Sequence, residues 1–370
     1  MLNNIKLLKN THWFLLMITY IIITLGIINL YSLQLNQGGS FYIMQTFWVI
    51  ISTFVLISTA LIDYRLFFES SIILYVINIL MLFAVFLFGV TRNASTRWLN
   101  FGFFLYQPSE SMKLVLALVL AAYFAKNDEE KLGFKKLAYP FFLTLLPAIL
   151  IKTQPDLGSA VILFIEFGVL LFFAKVKKSV WFTLVVLFIV LIPIMWFFVL
   201  NSYHKKRFDA FLNPEKFAKT TAYQTIQAKF AIGSGKMYGK GFTKGPISKG
   251  KFVPEQETDF AFSVLAEEFG FLGSVILILL YIIFLFLLIG TLKYAFDPFG
   301  FYLGIIIISY FSFQILMNLL MVTGLFPVIG VPLPFFSYGG TNLLISMASL
   351  GIIMSLYIRR YFFDYSLESL

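Results

Sequence analysis

Apolar residues fill this chain in long runs separated by short polar breaks, and the lengths of those runs set the elements. A run of about 20 apolar residues is needed for a helix to cross a bilayer. Ten runs reach or approach that length, near residues 13–31, 42–62, 71–90, 112–125, 137–152, 157–174, 179–200, 260–290, 301–323 and 340–358. The pattern predicts an all-α polytopic membrane protein with ten transmembrane helices, a single domain over residues 1–370. Only Lys152, Thr153, Gln154 and Pro155 precede Asp156 between the fifth and sixth runs, so these form either a tight hairpin or a broken pair.

The polar stretches are as informative. One long loop, 201–258, falls between spans 7 and 8, and within it Tyr223 to Ile232 is expected to be a short amphipathic helix. The glycines of Gly233 to Gly241 look like a phosphate cradle, but they miss the P-loop spacing and place glycine where Ser or Thr would follow Lys240. The alternative, which the sequence favours, is a mobile turn-rich loop. Thr323 to Thr341 has three prolines, four glycines and no charge, which predicts a rigid, non-helical, re-entrant segment.

Composition agrees with the pattern. The chain is 60% hydrophobic and 12% charged with a mean hydropathy of +0.89, against about 25% charged in a soluble domain. There is no cysteine, which removes disulfides and thiolate metal sites, and His12 and His204 form no metal motif. Lys6 and Lys9 precede a first run without an Ala-x-Ala-like site, so that run is expected to stay as a transmembrane helix. These lysines, Arg65, Lys126 to Lys136, Lys175 to Lys178, Lys293, Arg359 and Arg360 would share one side. By the positive-inside rule both termini are then cytoplasmic and the 201–258 loop is extracytoplasmic. The net charge of +10 suits anionic membrane lipids or an anionic substrate, not nucleic acid, because the basic residues sit in connections between spans.

Candidate chemistry concentrates in Pro254 to Ser274, where Glu255, Glu257, Asp259, Glu267 and Glu268 crowd a chain holding only 18 acidic residues. A helix starting near Asp259 would align Asp259, Ser263 and Glu267 on one face and favour an ionised Asp259, available as a base unless the fold buries it. The alternative is that Thr258 and Asp259 only cap that helix. Glu110 and Lys113, three residues apart, are either a tie between helices or part of a substrate cavity. Asp156 stands at a helix start, where a cap is the simpler reading, while Glu166 lies mid-span and must face a partner, a cavity or water.

Five stretches in order, RWLNFGFFLYQPSESMKL, KTQPDLGSA, AIGSGKMYGKG, FVPEQETDFAFSVLAEEFGFLGS and GVPLPFFSYGGTNLL, resemble the SEDS family (shape, elongation, division, sporulation) of bacterial cell-wall proteins. Gly330 to Pro334 looks most like its elongation member RodA. Thr341 and Asn342 depart from a common pair of serines, and Lys236 from a common glycine. The resemblance implies a peptidoglycan glycosyltransferase of the bacterial cytoplasmic membrane. It would polymerise lipid II outside that membrane during cell elongation, beside a class B penicillin-binding protein. Asp259 matches the family's essential aspartate and is the candidate catalytic base. Arg97, Glu110, Lys113, Lys152, Arg207 and Lys240 are the candidate substrate-binding residues, the cations facing pyrophosphate. No metal motif is present, but the oxygens of Asp259 and its neighbours admit a divalent cation, Mg2+ or Mn2+. Two alternatives stay open. A lipid II flippase would tolerate Asp259→Asn, and a non-catalytic scaffold for a penicillin-binding protein would tolerate loss of every intramembrane polar group.

Overall fold

A computed structural model describes residues 11–37, 40–92, 95–102, 104–194 and 202–361. Lys6, Lys9, position 201 at the start of the predicted loop and positions 195–200 of the seventh predicted span lie outside the described residues. The helices are α1 (Trp13–Gln37), α2 (Phe41–Leu61), α3 (Leu66–Phe88), α4 (Pro108–Lys126), α5 (Phe134–Thr153), α6 (Leu157–Phe173), α7 (Lys178–Ile194), α8 (Ser202–Leu212), α9 (Tyr223–Ser234), α10 (Pro246–Lys249), α11 (Ala261–Thr291), α12 (Pro298–Val322) and α13 (Gly340–Ile358). Among the described residues eight helices, α1 to α5 and α11 to α13, are long and apolar enough to cross a membrane. The apolar helices α6 and α7 are shorter.

Burial separates the bundle's centre from its rim. α4 and α13 are buried along most of their length, whereas little of α2 is buried and its outer face carries Ile43, Phe47, Ile50 and Phe54. α13 packs along α2, α4 lies between α3 and α12, and α6 packs against α5 and α12. Tyr64, at the turn between α2 and α3, donates to Asp297 ahead of α12, and its amide bonds Ser355 Oγ at 3.1 Å, which ties that end of the bundle together.

The expectation of an all-α chain needs correction. Residues beside the α3 end form a three-stranded antiparallel sheet of β1 (Gly89–Arg92), β2 (Ser95–Asn100) and β3 (Leu105–Tyr106). The cause is legible afterwards: Thr91, Thr96, Trp98 and Tyr106 are strand formers, and Asn100 turns the chain by accepting from Gly102 N at 2.8 Å.

A second correction concerns the glycine-rich stretch. α11 is broken at Gly270, whose φ of 66° and ψ of −157° are not helical. The break frees backbone groups, and residues 236–241 take them up: Phe271 N and Leu272 N donate to Lys236 O and Met237 O at 2.8 and 3.2 Å. In return Lys240 N and Gly241 N donate to Glu267 O and Glu268 O, each at 3.0 Å. These amides serve neither a phosphate nor a loose turn; they splice a kinked helix.

The segment between α12 and α13 is non-helical and descends along α11. The Tyr281 hydroxyl, midway along that helix, donates to Pro334 O at 2.7 Å, and the Phe335 ring packs 5.4 Å from Phe284 and 5.5 Å from Phe311.

Candidate active site

Asp259 lies just outside the helix that the sequence placed it on. α11 begins at Ala261, and Phe260 occupies the cap position with no side-chain cap bond, so the capping reading of Asp259 fails. Asp259 and Glu267 do not share a face in one cluster either. Glu267 turns away and accepts from Ile247 N at 2.8 Å and Ser248 N at 2.9 Å, holding the start of α10. Glu268 instead accepts from Ser32 on α1.

Asp259 is held by a turn and a clamp. Thr258 N and Phe260 N both donate to Glu255 O at 3.1 Å. Asn318 on α12, fully buried, donates through Nδ2 to Asp259 O and to Val331 O, each at 2.7 Å. Ser337 Oγ donates to Thr258 O at 2.6 Å and Tyr338 N to Glu257 O at 2.9 Å. Two non-helical segments are thereby locked together, each supplying the partners the other lacks.

The Asp259 side chain faces a cavity of about 1290 Å3 whose walls include Arg97, Glu110, Lys113, Lys152, Asp156, Arg207, Glu255, Glu257 and Gln314. Arg97, on β2, donates from Nε to Gln154 O at 3.0 Å and from Nη2 to Pro155 O, fixing the α5–α6 turn. Arg207, on α8, reaches Val328 O at 2.8 Å. Glu110 and Lys113 are buried and paired at 2.7 Å, and Asn342 on α13 donates to the same Glu110 oxygen at 2.7 Å. The pair is thus both a tie between α4 and α13 and part of the cavity floor. Asp156 caps α6 by accepting from Ser159 N at 3.1 Å and also holds Ser109 Oγ at 3.0 Å.

Lys240 does not join this set. It is exposed, absent from the cavity wall, and anchored through its backbone at the α11 kink. Sequence reasoning also missed Asn318, Gln314 and Gly330. The signal available for the first two was a pair of amides four residues apart in an apolar run, which places both on one helix face.

The cavity sets the proton affinity of Asp259. Part of its surface opens to the cavity while protein surrounds it elsewhere, and its carboxyl is pushed up to about 7. Burial is the main cause and the charge of Glu255 the next, with Arg97 and Arg207 opposing both. The helix-dipole expectation of an ionised Asp259 carries the condition that the fold leave it unburied; the fold buries it, and near neutrality the group divides between base and acid. Burial raises Glu257 as well. Among the described residues no group of three or more His, Cys, Asp or Glu is arranged to hold a metal.

Comparison with known proteins gives a concordant result. The FtsW/RodA/SpoVE family profile, described as a cell cycle protein, matches residues 8–361. The peptidoglycan glycosyltransferase MrdB of Escherichia coli is 37% identical over 289 residues, which cover 78% of this chain and 77% of MrdB. The peptidoglycan glycosyltransferase RodA of Treponema pallidum is 29% identical over 94% of this chain and 98% of its own. A solved chain from a peptidoglycan synthase complex that coordinates polymerization and crosslinking superposes with a TM-score of 0.81 at 26% identity, over 95% of this chain and 98% of that one. The rod shape determining protein RodA of Thermus thermophilus gives 0.70 at 26% identity over the same shares.

Proposed function

The chain belongs to the FtsW/RodA/SpoVE family of cell cycle proteins, and from that membership we propose that it is a peptidoglycan glycosyltransferase of the RodA type, a multi-pass protein of the bacterial cytoplasmic membrane. Its reaction is polymerisation of lipid II into glycan strands during cell elongation. The observation that carries the reading is Asp259, an aspartate poised near neutral on the wall of a large cavity that also holds Arg97, Lys113, Lys152 and Arg207.

The chemistry follows from that placement. A sugar hydroxyl of the acceptor attacks the anomeric carbon of a lipid-pyrophosphate donor. The new glycosidic bond forms as the bond to pyrophosphate breaks, and the hydroxyl proton passes to Asp259. Lipid pyrophosphate leaves with the bonding pair, and the cavity's cations offset its charge. Arg97 and Arg207 have part of their donor capacity engaged by backbone carbonyls, so they act from fixed positions. The wall carries acidic groups as well, Glu255 and Glu257 beside Asp259. Mg2+ or Mn2+ would find oxygen donors in Glu255 and Asp259 and would offset the pyrophosphate charge when bound.

The topology we assign counts α6 and α7 with the eight long helices, giving the ten crossings that the apolar runs suggest. Both termini are then cytoplasmic, and the sheet, α8 to α10 and the cavity mouth face outward. The partner we assign is a class B penicillin-binding protein, which would crosslink the strands that this chain extends.

The test is polymerisation of fluorescent lipid II by the purified protein, alone and with its cognate penicillin-binding protein, for wild type and Asp259→Asn. Glycan chains from wild type and none from a folded, partner-bound variant are expected. Equal polymerisation by both would remove Asp259 from the chemistry, and flipping of lipid II without polymerisation by either would replace the enzyme with a transporter.

A further inference from the structure

Below the cavity floor lies a set of polar groups that the glycosyl transfer does not use. Glu166 on α6 is wholly buried, and neither Oε1 nor Oε2 has a hydrogen-bond partner. Gln314 on α12 is buried with both Oε1 and Nε2 unpartnered, and the Tyr310 hydroxyl, beside Ser349, makes no hydrogen bond of ordinary geometry. Gln314 and Tyr310 are four residues apart and share a face of α12, while Ile162, one turn before Glu166 on α6, lines the cavity. Gln314 itself lines the cavity, so the set meets the cavity at that residue.

A buried carboxylate left ionised and uncompensated costs several kcal/mol. Among the described residues, Lys113 is the one cation that acts on Glu166, but its ammonium is already bonded to Glu110 at 2.7 Å. The Glu110–Lys113 pair is neutral as a unit. Tyr310 from α12 is uncharged, and α5 brings no charged residue between Leu137 and Ile151. Glu166 therefore needs one positive charge of its own.

The donors decide which. A bare metal cation would satisfy the oxygens of Glu166 and Gln314 but leave the Gln314 amide protons without acceptors. A proton on Glu166 together with water answers both kinds of group, since water donates and accepts. We propose that Glu166 is a buried proton-binding site: a neutral carboxylic acid, bridged by water to Gln314 and through it to the floor of the cavity. Buried carboxylic acid and water would then stand at membrane depth under the reacting groups, exchanging protons with the same side of the membrane as the cavity mouth. The inference does not depend on the glycosyltransferase reading.

Infrared difference spectroscopy of the full-length protein tests it. Wild type minus Glu166→Gln is recorded well above neutral pH, where Asp259 is ionised, and again after transfer to D2O. The expected result is a carboxylic-acid C=O band that disappears in the variant, together with a shift of that band in D2O while core amides are still protected. The melting temperature of Glu166→Gln should match wild type, because an amide replaces a neutral acid. Absence of the band would mean an ionised Glu166 held by a cation and would overturn the proposal. A band that shifts only on unfolding would mean a sealed acid with no water link and would overturn it equally. If Glu166→Gln does not fold, Gln314→Leu carries the test: it keeps the acid, and it must slow the D2O shift several-fold, with an unchanged rate counting against the bridge.

Discussion

Gly330 stands against the carboxylate of Asp259: a Cβ at position 330 would lie 3.3 Å from Asp259 Oδ2, on a backbone whose φ is +72°. An L side chain in that left-handed region costs about 1–2 kcal/mol. The added methyl also presses on the one oxygen pair that must meet the acceptor hydroxyl. Gly330→Ala should lower the polymerisation rate by about tenfold or more, the equivalent of about 1.4 kcal/mol of transition-state stabilisation. Polymerisation and thermal melting measured on the same preparation would separate the two effects. Full activity in the variant would show that the close approach of residue 330 does not matter to Asp259.

The raised carboxyl of Asp259, about 7, predicts a pH profile. A base works only when deprotonated, so activity should be low in acid and rise as pH passes through about 7. The sign for stability is opposite. A carboxyl whose folded value lies above its unfolded one, about 3.9, stabilises the fold below that unfolded value and loses this contribution as pH rises through the folded one. Glu255→Gln removes a negative neighbour and should move the activity midpoint down, and Arg207→Gln should move it up. Initial rates across pH for the three proteins check this, and a shared midpoint would mean that another group governs the step.

Much of this arrangement was legible in the sequence. Each apolar run coincides with a helix among the described residues, because about 20 apolar residues in a row leave the backbone few other ways to satisfy itself. Arg97, Glu110, Lys113 and Lys152 stand out in the sequence as polar groups where lipid would penalise them, and Arg207 as a loop cation suited to pyrophosphate; these five line one cavity, while Lys240 does not. What was hidden was tertiary. No local signal says that Gly239 and Gly241 dock on a kink near Gly270, since glycine-rich spacing serves a ligand and a neighbouring backbone equally. Asn318 reads as one more polar residue in an apolar run until Asp259 O and Val331 O are seen on either side of its amide.

The buried pair of Glu110 and Lys113 predicts an asymmetric response. Removing one partner strands the other in a site where Lys113 is 1% and Glu110 5% exposed. Such single truncations cost about 3–5 kcal/mol. Lys113→Met should therefore destabilise strongly, while Lys113→Met combined with Glu110→Leu should recover part of the loss, limited by the orphaned Asn342 amide. Melting temperatures of the two variants decide it. A double variant less stable than Lys113→Met alone would mean that the charges themselves hold α4 to α13.

The splice at Gly270 separates the side chain of Lys240 from its backbone. Lys240 is exposed and outside the cavity, so Lys240→Ala should polymerise lipid II at nearly the wild-type rate. Gly239→Ala should not. Its φ is +82°, and the added Cβ would stand 2.0 Å from Glu268 O, a backbone atom that cannot step aside without opening the kink. Gly233→Ala is the control, since nothing lies within 4 Å of a Cβ there. Under the docking reading the order of stability is Gly233→Ala near wild type, Lys240→Ala near wild type and Gly239→Ala lowest, with protease cutting near 236–241 appearing only in the last. If these residues instead cradled a phosphate, Lys240→Ala would weaken substrate binding and leave stability alone, so polymerisation at limiting lipid II on this variant discriminates the two.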